Sequence, residues 1–520
     1  MSDRIKAQTP VDKDLRVKQS DAILPDEMIA SILQAMGQWH IPDLRLAIVK
    51  EQPGHDDASA EPVAFSIALG ENSDYDVKMP LGSNSKLFAL SALDKVLRAN
   101  GYDVDTPIKK ILPDFQLANP QATELCSCRD IATHMTGLPD YDKVVEPGLT
   151  AKDLTERLRC LPPTAPFRSR FQYCNISSAI LIQIIEHLSG RSYADYVTDE
   201  ILMPLKMKFT SFQPDDKLSM GHFNMVGADG EEKGSMDLEF AFAKSSGIEA
   251  AGGVLTVGRD LLKWLLAVPN FPIYDTASSP TVTENVPYPL HPPSHASYGL
   301  YLTQASYYNF NTIEHIGNTN SHSSLIVFCP DLKVRFGVMF NVGDYETGHA
   351  FTSWIRATLL DRFAGFEPQD WLSEIQVVAA KEQQKLARHF GAIEGDPTLP
   401  PLIGTFKCPG FATWDLIEIN NVSVRPELTT IPGFEKLYGS TQVLVAAVQG
   451  SQIGQQGEGW YVGCLQLNFE GGVNDGRVMH GSPFKAQLCE EGKKLHVYWL
   501  VEGDLAESPI TFTKAGNEDC

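Results

Sequence analysis

The stretch MPLGSNSKLFALSALDKVL, Met79 to Leu97, passes from a short polar turn into apolar residues with helical spacing. Within it, Ser83 stands three residues before Lys86, at the point where the predicted helix starts. Ser83 could cap an ordinary helix, or it could be a nucleophile whose base lies one helical turn further on. The same spacing recurs at Ser482 and Lys485, so spacing alone does not separate the two interpretations.

Length and composition limit the classes of protein that fit. The chain has 520 residues, 43% hydrophobic and 21% charged, which is typical of a globular protein of more than one domain. A net charge of −22 argues against a nucleic-acid partner, and no apolar run reaches the length of a membrane span. The first 25 residues lack the apolar segment of a signal peptide, so we expect a disordered arm and a cytoplasmic protein.

Nine scattered cysteines form no CxxC pair and show no metal-ligand spacing. They predict reduced thiols and no metal site.

Periodicity predicts a first helix and two strands, then many helices, then two late strands and a helix, followed by a β-rich end. Helices are predicted at Asp26–Gln38, Lys86–Ala99, Arg129–Thr136, Ala151–Leu161, Ser177–Ser189, Tyr193–Ile201, Val257–Val268, Ala350–Phe363 and Lys381–Phe390. Strands are predicted at Leu44–Lys50, Pro62–Gly70, Ser323–Cys329 and Val334–Asn341, with a proline-rich loop from Pro269 to Ser297. Strands from both ends of the region predict one mixed sheet. Beyond residue 400, short alternating segments between Gly-rich turns predict an all-β module.

Two further motifs follow Ser83 and Lys86 along the chain. Tyr173 and Asn175 form YxN before an amphipathic helix, where the tyrosine could simply pack and the asparagine could cap the helix. His315 and Gly317 form HxG near the late strands. A glycine there would allow close approach to the backbone, whereas a lone histidine could be structural.

Taken in order, SxxK, YxN and HxG resemble the motifs of the serine beta-lactamase-like family, which includes beta-lactamases, D-aminopeptidases, D-Ala-D-Ala carboxypeptidases and esterases. Other segments are similar to family segments as well, namely TPIKKILPDF (106–115), RDIATHMTGLPDY (129–141), SGRSYADYVTDEILMPLKM (189–207) and AAGGVLTVGRDLLKWL (250–265). The resemblance covers about residues 26 to 363 and implies that Ser482 with Lys485 is a coincidence.

The resemblance implies a role for each motif residue. Ser83 would be the nucleophile, while Lys86 and Tyr173 would take its proton and return it to the leaving group. Asn175 would position the substrate, and the backbone N–H groups of Ser83 and Asn318 would form the oxyanion hole.

The chain departs from the family pattern in two places. His315 stands where beta-lactamases and carboxypeptidases carry lysine, which makes a beta-lactam or D-Ala-D-Ala substrate less suitable. If His315 lines the site, we expect its charge to depend on pH near 6.5. Ser321 and His322 stand where a glycine and an aromatic residue are common, so the far wall of the site should be unusual.

The resemblance also implies an α/β (α+β) fold, with a beta-lactamase/transpeptidase-like domain whose mixed antiparallel sheet is flanked by helices and an all-helical region. We predict a disordered arm (1–25), a catalytic domain (26–366), a helical linker (367–400) and a lipocalin-like β-barrel (401–520). The expected activity is hydrolysis of an ester or amide of a small molecule or short peptide, without a cofactor. An acyltransferase of secondary metabolism and a non-catalytic scaffold are the alternatives.

Overall fold

The computed structural model describes residues 23–377 except 52–61, 73, 142–147, 227–231, 239–246, 284–285, 287–289, 320, 344 and 376, and beyond them only strands between 404 and 514. The predicted arm up to residue 22, the polar loop at 54–61 and the Lys381–Phe390 helix lie outside the described residues.

Along the chain, two strands follow the first helix, most of the helices lie in the middle, and five strands precede the last helix. The helices are α1 (Asp26–Gln38), α2 (Lys86–Ala99), α3 (Ile108–Ile111), α4 (Pro120–Leu125), α5 (Cys128–Ala132), α6 (Ala151–Leu158), α7 (Ser178–Ser189), α8 (Tyr193–Val197), α9 (Glu249–Gly252), α10 (Gly258–Ala267), α11 (Tyr274–Ala277) and α12 (Tyr345–Ala364). The strands are β1 (Asp43–Lys50), β2 (Val63–Gly70), β3 (Met79–Pro80), β4 (Gly221–Val226), β5 (Glu232–Leu238), β6 (Leu255–Thr256), β7 (Ser297–Tyr298), β8 (Thr303–Tyr307), β9 (Phe310–Asn318), β10 (Ser323–Cys329) and β11 (Val334–Phe340).

A seven-stranded antiparallel sheet organises this region, in the order β2-β1-β11-β10-β9-β8-β7. Strands from both ends of the region therefore meet in one sheet, as the order of elements predicts. The sequence of strand β1 is almost continuously apolar because both of its faces are buried. Ala47 and Val49 join the core on the side of α2, α7 and α10, whereas Leu44, Leu46 and Ile48 join the core beneath α1 and α12.

Local periodicity predicted several boundaries correctly. Helices α1 and α2 and strand β10 have the predicted bounds, and β1, β2 and β11 differ by a single residue at one end. The predicted helix at Arg129–Thr136 is wrong in extent, because α5 ends at Ala132 and the chain turns sharply at His134, which has a positive φ of 55°. The proline-rich loop is not wholly irregular, since it contains the short helix α11.

Two features of the first domain, the end of the N-terminal arm and strand β9, were not predicted from its sequence. The predicted arm, residues 1–25, extends too far along the chain. Ile23 and Leu24 are buried in the core beneath α1, where their apolar side chains are removed from water. The segment that carries HxG, which stands just before the late strands, itself forms a strand, β9, between β8 and β10 of the sheet. Its alternation of polar and apolar residues is too irregular to show this from the sequence.

The strands beyond residue 400 are β12 (Gly404–Lys407), β13 (Trp414–Glu418), β14 (Val443–Gln449), β15 (Tyr461–Gln466), β16 (Ser482–Cys489), β17 (Lys494–Val501), β18 (Asp504–Leu505) and β19 (Ile510–Lys514). They pair in the order β16-β15-β14-β13-β12-β19-β17-β18, and β17 pairs again with β16. The lipocalin-like assignment remains a prediction. Within the described ranges, no helix combines the length and the apolar character needed to cross a membrane.

Candidate active site

Ser83 lies in a 3-10 turn, Gly82–Ser85, that leads directly into α2. The interpretation of Ser83 as a helix cap is wrong, because α2 begins at Lys86 and its N-cap, Ser85, makes no capping bond. Ser85 Oγ instead accepts the Val254 N–H at 3.0 Å and ties the turn to the segment after α9. The other three residues of the turn are buried, so Ser83 is the one that is partly exposed to solvent.

Lys86 lies one turn further on and is fully buried. Its Nζ donates to Ser83 Oγ at 3.0 Å, to Asn175 Oδ1 at 2.7 Å and to the Ala251 carbonyl at 3.0 Å. An ammonium group has three N–H donors, and these three acceptors match them. The buried charge of Lys86 is thus held by hydrogen bonds on the side of Ser83.

Tyr173 reaches Ser83 from the other side. Its hydroxyl donates to Ser83 Oγ at 2.8 Å, and Lys86 Nζ lies 5.0 Å from the centre of its ring. The capping alternative for Asn175 is wrong, since helix α7 starts at Ser178 with Ser177 as its N-cap. Tyr173 does pack against neighbouring rings, but its hydroxyl also reaches Ser83, which packing alone would not require. The structure therefore brings Ser83, Lys86, Tyr173 and Asn175 together, although up to 92 residues separate them.

His315 lies in β9 with 6% of its surface exposed. Its Nε2 is 3.0 Å from the Tyr298 hydroxyl, and its ring centroid is 6.4 Å from that of Tyr173. Burial, reinforced by the charge of Lys86, lowers the pKa of His315 to about 3. The expectation of a charge that changes near pH 6.5 is therefore wrong, because the imidazole is neutral at that pH.

Gly317 and Gly82 allow two backbones to touch. A Cβ on Gly317 would lie 2.0 Å from the Leu81 carbonyl oxygen, and one on Gly82, where φ is +49°, would lie 2.8 Å from Asn318 N. These contacts place the backbone of Asn318 beside the turn that carries Ser83. The arrangement is compatible with an oxyanion hole formed by the Ser83 and Asn318 N–H groups, which remains a prediction.

Sequence reasoning missed the residues that join the turn to the sheet. Ser324 in β10 accepts a hydrogen bond from Asn84 Nδ2 at 2.8 Å and donates to the Leu81 carbonyl at 2.7 Å. Their side chains are fully buried. Asn84 lies inside SxxK, but its partner is 240 residues away, so no local signal in the sequence links them.

Ser321 and His322, the predicted far-wall residues, are both buried, and Ser321 Oγ lies 2.8 Å from His322 Nδ1. Burial lowers the pKa of His322 to about 3. Within the described ranges, no three His, Cys, Asp or Glu side chains are grouped so that they could hold a metal ion.

The second SxxK does not form a comparable site. Ser482 and Lys485 both lie in β16. Ser482 and Lys485 therefore lack the turn into a helix that brings Ser83 and Lys86 together.

Comparisons with known proteins agree with the fold and with the family that the motifs resemble. The family model described as "Beta-lactamase" matches residues 66–358, more than half of the chain. An unguisins hydrolase from Aspergillus campestris is 24% identical over 432 residues, which are 76% of this chain and 77% of that protein.

Two solved structures share the fold. A penicillin-binding protein homologue from Pyrococcus abyssi has a TM-score of 0.52 at 17% identity, covering 94% of this chain and 99% of its own. A D-amino acid amidase from Ochrobactrum anthropi SV3 also has a TM-score of 0.52 at 20% identity, covering 65% of this chain and 97% of its own.

Proposed function

Since the chain belongs to the Beta-lactamase family, we propose that it is a serine hydrolase that forms an acyl-enzyme on Ser83. The observation that carries this proposal is the convergence of Lys86 Nζ and Tyr173 OH on one hydroxyl, at 3.0 and 2.8 Å. A nucleophilic hydroxyl needs a neighbouring base within hydrogen-bond distance, and either group of this pair becomes that base once it has given up its own proton.

In the proposed reaction, the Lys86–Tyr173 pair first gives up one proton to solvent, which leaves a neutral Lys86 amine or a Tyr173 phenolate. Ser83 Oγ then attacks the carbonyl carbon of an ester or amide while its own proton passes to that deprotonated group. The carbonyl oxygen becomes an oxyanion, held by the N–H groups of Ser83 and Asn318; loss of one such donor lowers turnover by about 100- to 1,000-fold. The network then protonates the leaving alcohol or amine as its bond to carbon breaks. Water, deprotonated by the same network, attacks the acyl-enzyme and regenerates Ser83.

The neutral state of His315 supports a substrate that is uncharged at this wall. A lysine here would attract a substrate carboxylate, whereas a buried neutral imidazole, hydrogen-bonded to Tyr298, offers no such charge. We therefore propose that the substrate is a neutral ester, or an amide whose scissile bond lies inside a small molecule or short peptide. The name of the unguisins hydrolase is consistent with hydrolysis by a relative.

We propose, further, that the catalytic domain spans about residues 23–375, since Ile23, Leu24, Trp371 and Ile375 lie in its core, and that the residues up to 400 link it to a lipocalin-like barrel (401–520). The support for the barrel is the pairing of β16 with both β15 and β17, because it completes a circuit of seven strands.

The test is a mass spectrum of the denatured protein after incubation with neutral p-nitrophenyl esters of different acyl groups. We expect an adduct of the acyl mass on the peptide that contains Ser83, and none in Ser83→Ala. Ser482→Ala is the matched control and should be acylated like the wild type. Absence of an adduct and of turnover in the wild type, including with a fluorophosphonate probe, would favour the scaffold alternative.

The same samples distinguish hydrolysis from acyl transfer. Free acid as the product supports the hydrolase, even when an amine or alcohol acceptor is added. Conjugates that form in preference to free acid would instead support the acyltransferase.

A further inference from the structure

His134 holds the chain on both sides of Tyr173. Its carbonyl accepts the Gln172 N–H at 2.9 Å, and its ring Nδ1 accepts the Cys174 N–H at 3.1 Å. Between these two bonds its ring lies against the ring of Tyr173, with centroids 4.2 Å apart and planes inclined by 35°. The residues before, at and after position 173 are thus all in contact with one side chain and its backbone.

The hydrogen bond at Nδ1 defines the tautomer of His134. A ring nitrogen that accepts from a backbone N–H carries no proton, so the proton of the neutral ring is on Nε2. Burial holds the pKa of His134 well below its ordinary value, with smaller effects in the same direction from Lys86 and His315. The ring therefore stays neutral, and its bond to Cys174 is kept.

The surroundings of the His134 ring leave it little room to move. Its ring centroid lies 5.6, 5.7 and 5.5 Å from those of Phe171, Tyr298 and Tyr301, respectively. His134 also has a φ of +55°, a backbone conformation that is uncommon for residues other than glycine, although histidine adopts it more often than most. Such backbone conformations persist where the surrounding contacts enforce them, and they concentrate at functional sites.

We propose that His134 is a positioning residue, which holds the Tyr173 hydroxyl on Ser83 through its stacked ring and its bond to Cys174. The inference rests on the proposed function of Tyr173. His134 acts through Tyr173 and takes no part in proton transfer. A shift of about 1 Å in a catalytic group can lower the rate by about 100-fold, so control of the Tyr173 ring is sufficient to affect acylation.

Two substitutions separate the two contacts. His134→Phe keeps a ring against Tyr173 but removes the Nδ1 acceptor. His134→Asn removes the ring but keeps an acceptor near the position of Nδ1, and asparagine tolerates positive φ. Each should lower the limiting rate of Ser83 labelling by an alkyl fluorophosphonate about 10- to 100-fold and leave the half-saturating probe concentration within about twofold.

The deciding measurement is a double-mutant cycle with Tyr173→Phe. If His134 acts through the Tyr173 hydroxyl, then adding His134→Phe or His134→Asn to Tyr173→Phe should lower labelling no further. Fully multiplicative losses, or wild-type labelling in both single variants, would overturn the proposal. A purely structural role would give the multiplicative result, together with a lowered melting temperature. If His134→Phe does not fold, His134→Asn completes the cycle.

Failure of the proposed function looks different. In that case the wild type itself would not be labelled at Ser83, or Tyr173→Phe would be labelled at the wild-type rate.

Discussion

Replacement of Gly317 by alanine should disable the site by pushing β9 away from the turn that carries Ser83. The added Cβ would lie 2.0 Å from the Leu81 carbonyl oxygen and 2.4 Å from Ser324 Oγ. Carbon and oxygen that are not bonded need about 3.2 Å, so the two backbones would have to separate by about 1 Å. The Leu81 oxygen belongs to the backbone and already accepts from Ser324, so no side-chain rotation can relieve the clash.

That displacement sets the size of the effect. The separated elements carry Ser83 on one side and Asn318 on the other, which are the proposed nucleophile and an oxyanion donor. A shift of about 1 Å between them should lower the acylation rate by about 100-fold. Overpacking of a tight contact destabilises by about 1–3 kcal/mol, which leaves a folded protein to assay.

The assay is acylation of Ser83 by a neutral p-nitrophenyl ester, followed by mass spectrometry, with thermal unfolding in parallel. Gly37→Ala is the matched control, because a Cβ at this exposed position in α1 meets nothing within 4 Å. It should keep wild-type acylation and stabilise the helix by up to about 1 kcal/mol. Wild-type acylation and melting temperature in Gly317→Ala would refute the close contact and the reasoning built on it.

Three further predictions concern the charge of the buried histidines, the hydrogen bond between Asn84 and Ser324, and the identity of the nucleophile. His315 and His322 stay neutral in the folded protein down to about pH 3, whereas the unfolded chain protonates them near 6.5. The contribution of these two histidines to the free energy of unfolding is therefore complete above pH 6.5. Below that pH the free energy of unfolding should fall by up to about 1.4 kcal/mol per pH unit for each histidine. His322→Gln should lessen this slope in denaturant titrations. Ser324→Ala leaves a buried amide donor unpaired and should destabilise by about 1–3 kcal/mol, measured by chemical unfolding. Ser83→Ala should abolish ester turnover with little change in melting temperature, while Ser482→Ala should keep full activity; the reverse pattern would contradict the assignment.

The parts of the fold that the sequence predicted depend on contacts near in the chain. Helix α2 has its predicted bounds because its apolar residues recur at helical spacing and pack on one core. Strand β10 is buried at every position, and an apolar run of that length between turn residues is typical of such a strand. For these elements, the local pattern and the tertiary environment favour the same structure.

The parts that the sequence did not predict depend on distant partners. Ser83 lies in a 3-10 turn because Ser85 and Asn84 bond to Val254 and Ser324, which are 169 and 240 residues away. The protonation of His315 likewise depends on burial in a sheet assembled from both ends of the domain. No spacing within HxG contains that information, and the ordinary pKa of histidine led to the wrong expectation.

Burial and one buried cation together account for the neutral state of two histidines at the candidate site. Lys86 is fully buried, and its charge helps to lower the pKa of both His134 and His315. Two neutral imidazoles beside it avoid the repulsion that a second buried cation would bring. The neutrality of His134 and of His315 therefore has the same two causes, burial first and the charge of Lys86 second. In the proposed function, Lys86 would bring the positive charge of the site to Ser83, and His315 would present an uncharged wall to the substrate.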